Sequence, residues 1–194
     1  MIRAFALIAG ILALTACTNA NDLSDPPVDL GDFKLSHRIV VAPNLTKGPL
    51  SREASVEEWQ AAMTKAIGER FDRYDGDRLY HFGVSVEGYV LAQPGIPLVA
   101  NPKSIVIFNL TVWDDAAGKK LNEEVEQITV FESLSGETLL SSGLTQSREQ
   151  QIENLSRNAA KMIQTYLVKM QREKGWFSGA PAPEPGSEED DAEG

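Results

Sequence analysis

The only cysteine of this 194-residue chain, Cys17, directly follows an apolar run, and this position constrains the fold more than any other feature. Arg3 precedes the apolar residues 4–14, and small residues come next. This order is the pattern of a secretory signal peptide. Residues 1–16 are therefore predicted to be a signal peptide, and the remaining chain has no cysteine pair for a disulfide. The folded domain must be stabilised by packing alone.

Residues 14–17, Leu-Thr-Ala-Cys, resemble the lipobox of bacterial lipoproteins at each position. The resemblance implies that Cys17 becomes the mature N-terminus and is acylated on its sulfur and on its amine. Each buried methylene contributes about 0.8 kcal/mol, so several acyl chains anchor a protein firmly. Thr18, in place of an aspartate, implies sorting to the outer membrane in this family. A transmembrane anchor fits less well, because the apolar run has about half of the roughly 20 residues that a spanning helix needs.

The charge of the chain limits its partners. The formal charge is −10, and it becomes −11 when Arg3 is lost with the predicted signal peptide. Six acidic residues lie in 178–194, so that the body from residue 17 to 177 carries about −5. An acidic body argues against nucleic-acid binding, which requires clustered Lys and Arg. It also argues against electrostatic adhesion to anionic lipid, so we expect membrane contact through the acyl anchor. The tail, residues 178–194, is too polar to bury a core and is predicted to be disordered.

Residues 17–37 are polar and contain prolines, and they are predicted to form the lipidated N-terminus and a flexible tether. Fully stretched, such a segment reaches about 66–70 Å. A single domain is predicted over residues 38–177. Its helices each begin at a capping box, Ser55 with Glu58 and Ser147 with Gln150. The first helix is expected to end near Asp72 and the second near Lys174.

Short β-branched runs and alternating apolar residues predict the strands. The predicted strands are 38–42, 78–91, 104–113, 123–132 and a short one at 137–141. Together with the helices they give an α+β fold, a two-layer sandwich with a mostly antiparallel sheet and two amphipathic helices in the order βαβββ(β)α. The strand at 104–113 is apolar on both sides at its start, which indicates a central position in the sheet.

The element order and the lipobox together resemble small periplasmic lipoproteins that assist envelope machines. Examples are the auxiliary lipoproteins of ABC-type lipid transporters and the lipoproteins of lipopolysaccharide assembly. The resemblance covers residues 38–174 and implies an envelope protein as the partner.

No catalytic or metal-binding pattern occurs in the sequence. The only imidazoles, His37 and His81, lie outside any nucleophile motif and are interpreted as surface or sheet-face residues. Asp72, Asp75 and Asp77 lack the spacing of a calcium loop and are interpreted as a turn that ends the first helix. We therefore predict no catalytic residue, no metal ligand and no cofactor, and the protein is not expected to be an enzyme.

Two apolar groups are candidate partner or ligand contacts. Ile96, Leu98 and Val99 lie in a loop that prolines stiffen, which lowers the entropy lost on binding; packing back onto the domain is the alternative. Trp176 and Phe177 either clasp the second helix to the sheet or are exposed anchors for a partner.

These features favour a non-catalytic binding or adaptor protein in cell-envelope assembly or lipid transport, anchored at the periplasmic face of the outer membrane. Regulation of cell-wall synthesis fits the same features. A further alternative is a carrier of a lipid or another apolar ligand held between the helices and the sheet. The apolar character of both sides of the strand from Ile105 to Val112 motivates this alternative.

Overall fold

The computed structural model describes residues 20–93, 104–132 and 146–178. Cys17, the loop with Ile96, Leu98 and Val99, the strand predicted at 137–141 and the tail beyond residue 178 lie outside the described residues. The described elements are β1 (Lys34–Val41), β2 (Thr46–Lys47), α1 (Val56–Phe71), β3 (Leu79–Val90), β4 (Ile105–Asp114), β5 (Lys119–Lys120), β6 (Glu126–Phe131) and α2 (Arg148–Lys174). They confirm the predicted α+β class.

The strands form one mixed sheet around β4. Strand β4 is antiparallel to β3 on one side and to β6 on the other, so the predicted central position of this strand is confirmed. Strand β1 is parallel to β3, and α1 lies in the crossover that joins them. The short strand β2 extends the β3 pairing, and β5 completes a hairpin with the end of β4.

Both helices begin as predicted. Ser55 and Glu58 form the capping box of α1, and Ser147 and Gln150 form that of α2. Helix α2 ends at Lys174 and is capped by Gly175, whose φ of 67° is the left-handed conformation that glycine adopts without strain. Within the described ranges, neither helix has both the length and the apolar character needed to cross a bilayer.

The core lies between the sheet and the two helices. Helix α1 packs on β1, α2 packs on β4 and β6, and the helices pack on each other. The inward side chains of β3 and β4 are buried against Trp59, Ile67 and Leu155 of the helices. In the part of the chain that the structure describes, no helix covers the opposite side of the sheet.

The segment predicted to be a flexible tether packs on the domain from Ala20 onward, and β1 begins at Lys34 rather than at residue 38. Leu30 and Phe33 are each only 1% exposed. The Phe33 ring lies between several aromatic rings, with centroids 5.0 Å from Phe177 and 5.3 Å from Tyr80. Burial of these isolated apolar residues is the physical reason that the segment is ordered.

Trp176 and Phe177 also pack in this region, so the interpretation of these residues as exposed anchors for a partner is wrong. They are 9% and 3% exposed, so they are not available as anchors for a partner. Trp176 packs edge-on against Tyr166 of α2, and the Phe177 carbonyl accepts a hydrogen bond from the Asp32 amide at 3.0 Å. Both residues therefore clasp the end of α2 to the N-terminal segment and the sheet.

Candidate binding surface

The side of the sheet that neither described helix covers, here called the open face, is the candidate binding surface. Side chains alternate between the two sides of a strand, so every second residue of β1, β3, β4 and β6 points to this face. Several large apolar side chains are exposed there. Ile39 on β1 is 65% exposed and Phe131 on β6 is 55% exposed, while Val41, Leu79 and Trp113 are exposed to a smaller extent.

One end of the open face forms an apolar groove of about 380 Å³. Ile105 pairs with Val90 on one side and with Phe131 on the other, which places three apolar residues in a row across three strands. Ile107 lies in the next row as the register partner of Gly88, where a side chain would come within 3.3 Å of the Thr46 carbonyl oxygen. The groove is lined by Thr46, Gly48, Glu87, Gly88, Tyr89, Val90, Ile105, Ile107 and Gln127.

A row of polar side chains borders the apolar groove. The Asn109 amide donates to Glu87 Oε1 at 3.1 Å, and the Gln127 amide donates to Asn109 Oδ1 at 3.4 Å. Side-chain amides that are bonded to neighbouring strands hold fixed positions. The groove thus has an apolar floor and a polar border, as small-molecule and peptide sites commonly do.

The opposite end of the open face brings the two histidines together. His37 and His81 are register partners of β1 and β3, and their Nδ1 atoms are 3.2 Å apart. His81 Nε2 is 2.9 Å from Asp115 Oδ1, and the Ser36 hydroxyl is 3.0 Å from His37 Nδ1. The predicted sheet-face position of His81 is confirmed. The contact between the imidazoles depends on parallel pairing of β1 with β3, which the sequence pattern did not indicate.

This polar chain differs from a catalytic triad. In a triad one imidazole connects the hydroxyl to the carboxylate. Here Ser36 contacts His37, whereas Asp115 contacts His81, so that two rings stand between hydroxyl and carboxylate. Among the described residues there is no group of three or more metal-ligating side chains of the His, Cys, Asp or Glu type. The arrangement is best described as a hydrogen-bonded link between two strands and the β4–β5 turn.

A second polar cluster lies on the helical side of the domain, outside the open face. The buried guanidinium of Arg70 donates to Asp22 Oδ1 at 2.7 Å and to Gln164 Oε1 at 3.0 Å, and Lys161 Nζ is 2.5 Å from Asp22 Oδ2. Burial alone would raise the pKa of Asp22. The hydrogen bonds and charges of Arg70 and Lys161 outweigh burial and lower this pKa from 3.8 to about 2. Sequence reasoning missed this cluster because its members are far apart in the chain.

No family model and no curated protein matches the sequence. Several solved structures align with the chain at low similarity. A proposed lipoprotein from Caulobacter crescentus is 10% identical, with 84% of this chain and 100% of that chain covered and a TM-score of 0.38. A protein from Xanthomonas campestris assigned to family DUF330 is 13% identical, with 73% and 88% covered and a TM-score of 0.41.

A minor lipoprotein from Acinetobacter baumannii is 11% identical, with 63% of this chain and 92% of that chain covered and a TM-score of 0.25. The structures similar to this chain thus include bacterial lipoproteins. Their identities and TM-scores are too low to assign a family.

Proposed function

We propose that this protein is a lipid-anchored, non-catalytic protein of the bacterial envelope whose open face binds an envelope protein. Acyl chains on Cys17 hold the mature chain at the periplasmic face of the outer membrane. The domain acts there as an adaptor in envelope assembly or lipid transport. The lipobox at residues 14–17 supports the anchor, and the open face supports the binding role.

The observation that carries the binding role is the apolar groove at one end of the open face. The water-facing side of an antiparallel sheet ordinarily carries polar residues. In this sheet Val90, Ile105 and Ile107 line a groove and Phe131 is more than half exposed. A continuous apolar surface with a polar border is typical of an interaction site.

Photo-crosslinking from two matched threonine positions tests the proposal. Thr129 lies on the open face as the register partner of Ile107, and Thr165 is exposed on α2. A photoreactive residue at position 129 is expected to form an adduct with a specific envelope protein in living cells, and one at position 165 is not. The identity of the adduct separates a transport partner from a cell-wall enzyme.

Two substitutions make this experiment specific. Ile107→Thr keeps a β-branched residue in β4 but adds a hydroxyl to the groove, so it is expected to lower the adduct yield from position 129. Val125→Thr makes a similar change at an exposed residue before β6 and is expected to leave the yield unchanged. Equal yields from positions 129 and 165, or no effect of Ile107→Thr, would contradict binding at the open face.

A second function, carriage of an apolar ligand, is favoured by the groove itself. Its volume of about 380 Å³ lies within the range of about 300–1,000 Å³ that is usual for small-molecule sites. The outward residues Ile105 and Ile107 face this groove, while the inward residues Val106 and Phe108 are fully buried in the core. The ligand would therefore lie on the open face rather than between helices and sheet.

Native mass spectrometry of the gently extracted protein tests this second function. A carrier is expected to retain a lipid-sized mass beyond the anchor, and Ile107→Thr is expected to reduce the loaded fraction. A spectrum that shows only the anchored protein would exclude stable carriage and leave protein binding as the function of the groove.

A further inference from the structure

The N-terminal segment is fixed to the helical layer a few residues after Cys17. Arg70, only 2% exposed, donates from Nη2 to the Ala20 carbonyl at 3.0 Å and to Asp22 at 2.7 Å. Lys161 of α2 binds the second oxygen of the same carboxylate. A carboxylate that receives charge-assisted hydrogen bonds from two helices is held in one position.

The attachment continues along the segment. Arg73 donates to the Asp25 carbonyl, and the Tyr74 hydroxyl donates to the Val28 carbonyl at 2.8 Å. Buried Leu30 and Phe33 then lead into β1. The chain from Ala20 to Phe33 is thus bound at several points around the C-terminal end of α1, and local opening at one contact would not release it.

The length of chain before this attachment limits the distance from the membrane. Only three peptide steps separate Cys17 from Ala20. Three extended residues span at most about 10–11 Å. A freely moving tether over residues 17–37 would let the domain lie several times farther from the membrane. Because residues 20–33 pack on the domain, the domain must instead lie close to the membrane surface.

The contacts also show on which side of the domain the N-terminal segment is attached. Arg70 and Lys161 belong to the helices, which cover one side of the sheet, and the open face lies on the other side. We propose that the anchor holds the helical layer against the bilayer surface and directs the open face into the periplasm. This inference rests on the proposed acylation of Cys17. In it, the helical side of the domain contacts the lipid surface.

Energy transfer from single introduced cysteines tests this orientation. The lipidated protein is extracted from bacterial membranes and reconstituted in phosphatidylcholine vesicles that carry a headgroup-linked acceptor dye. Thr165→Cys on α2 and Thr129→Cys on the open face are exposed, matched positions for the donor dye. Transfer is expected to be higher from position 165. Equal transfer, or higher transfer from position 129, would overturn the proposed orientation.

A linker insertion provides the second arm. About 20 Gly and Ser residues after Thr18 add an average reach of roughly 25 Å without altering any contact of Asp22. In this variant, energy transfer to the headgroup dye is expected to be equal from positions 165 and 129. If transfer from position 165 stays higher by the same amount, the short attachment to Cys17 is not what orients the domain. Asp22→Ala is expected to reduce the difference in energy transfer between positions 165 and 129. Circular dichroism of this variant is the control for folding.

The experiment separates this inference from the proposed function. If Cys17 is not acylated, the protein does not float with the vesicles, and the proposed function fails before any transfer is measured. If the protein floats with the vesicles but energy transfer is equal from positions 165 and 129, Cys17 is acylated and the helical layer does not face the membrane.

Discussion

At the scale of single residues, Phe33 connects the N-terminal segment to the core. Its ring contacts rings from α1, β3 and the segment after α2, with centroids of Phe71 at 6.2 Å, Tyr80 at 5.3 Å and Phe177 at 5.0 Å. The sequence could not indicate this role, because one phenylalanine among polar residues has no period. Asp22 was missed for a similar reason, since its cationic partners Arg70 and Lys161 come from distant helices.

Phe33→Ala is expected to lower the free energy of unfolding by about 3–5 kcal/mol, because it removes a buried ring and leaves a cavity. Urea denaturation of the domain expressed without residues 1–17 provides the measurement. Val28→Ala, an exposed residue of the same segment, is the matched control and should change stability by less than about 0.5 kcal/mol. A small effect of Phe33→Ala would mean that the segment is not part of the fold.

Asp22→Asn is expected to destabilise the domain in a pH-dependent way. The folded-state pKa of Asp22, about 2, is lower than its ordinary value of 3.8, so its contribution is present above that ordinary value and is lost as the pH falls toward 2. This shift corresponds to about 2 kcal/mol at neutral pH. At pH 7 the wild-type protein should have a higher free energy of unfolding than Asp22→Asn, and near pH 2 the two values should be nearly equal. A difference independent of pH would contradict the ion pairs.

At the scale of elements, local signals predicted the ends of both helices and the central strand. Capping boxes at Ser55 and Ser147 depend on neighbouring residues only, and the buried apolar stripe of α2 runs from Ile152 to Leu167 within a helix of 27 residues. The beginning of β1 was missed because the β1–β3 register shifts between Leu35 and His37. This irregularity interrupts the alternation that identifies a strand in a sequence.

Ser147→Ala is expected to destabilise the domain by about 1 kcal/mol, because the Gln150 amide loses its side-chain acceptor at the N-terminus of α2. Thermal unfolding followed by circular dichroism measures the loss. Ser147→Asp retains an acceptor at the same position and should restore most of the stability. If alanine and aspartate behave alike, the cap does not stabilise the helix.

At the scale of the whole molecule, the candidate site follows from how the layers are assembled. The sequence indicated that strand β4 is apolar on both sides but not which side the helices cover. Pairing of β1 with β3 and packing of both helices on one side leave Ile105 and Ile107 on the open face. The same assembly brings His37 to His81 and binds residues 20–33 to the helical layer. These features depend on contacts between distant residues, which a periodic pattern does not contain.

The anchor at Cys17 is the central claim, because the adaptor function and the membrane orientation both depend on it. Mass spectrometry of the N-terminal peptide from protein extracted from bacterial membranes tests it most directly. We expect the mature chain to begin at Cys17 and to carry acyl chains on the sulfur and on the amine, and Cys17→Ser should abolish both the acyl mass and the mature membrane-bound form. A mature chain that begins at another residue, or an unmodified Cys17, would contradict the account.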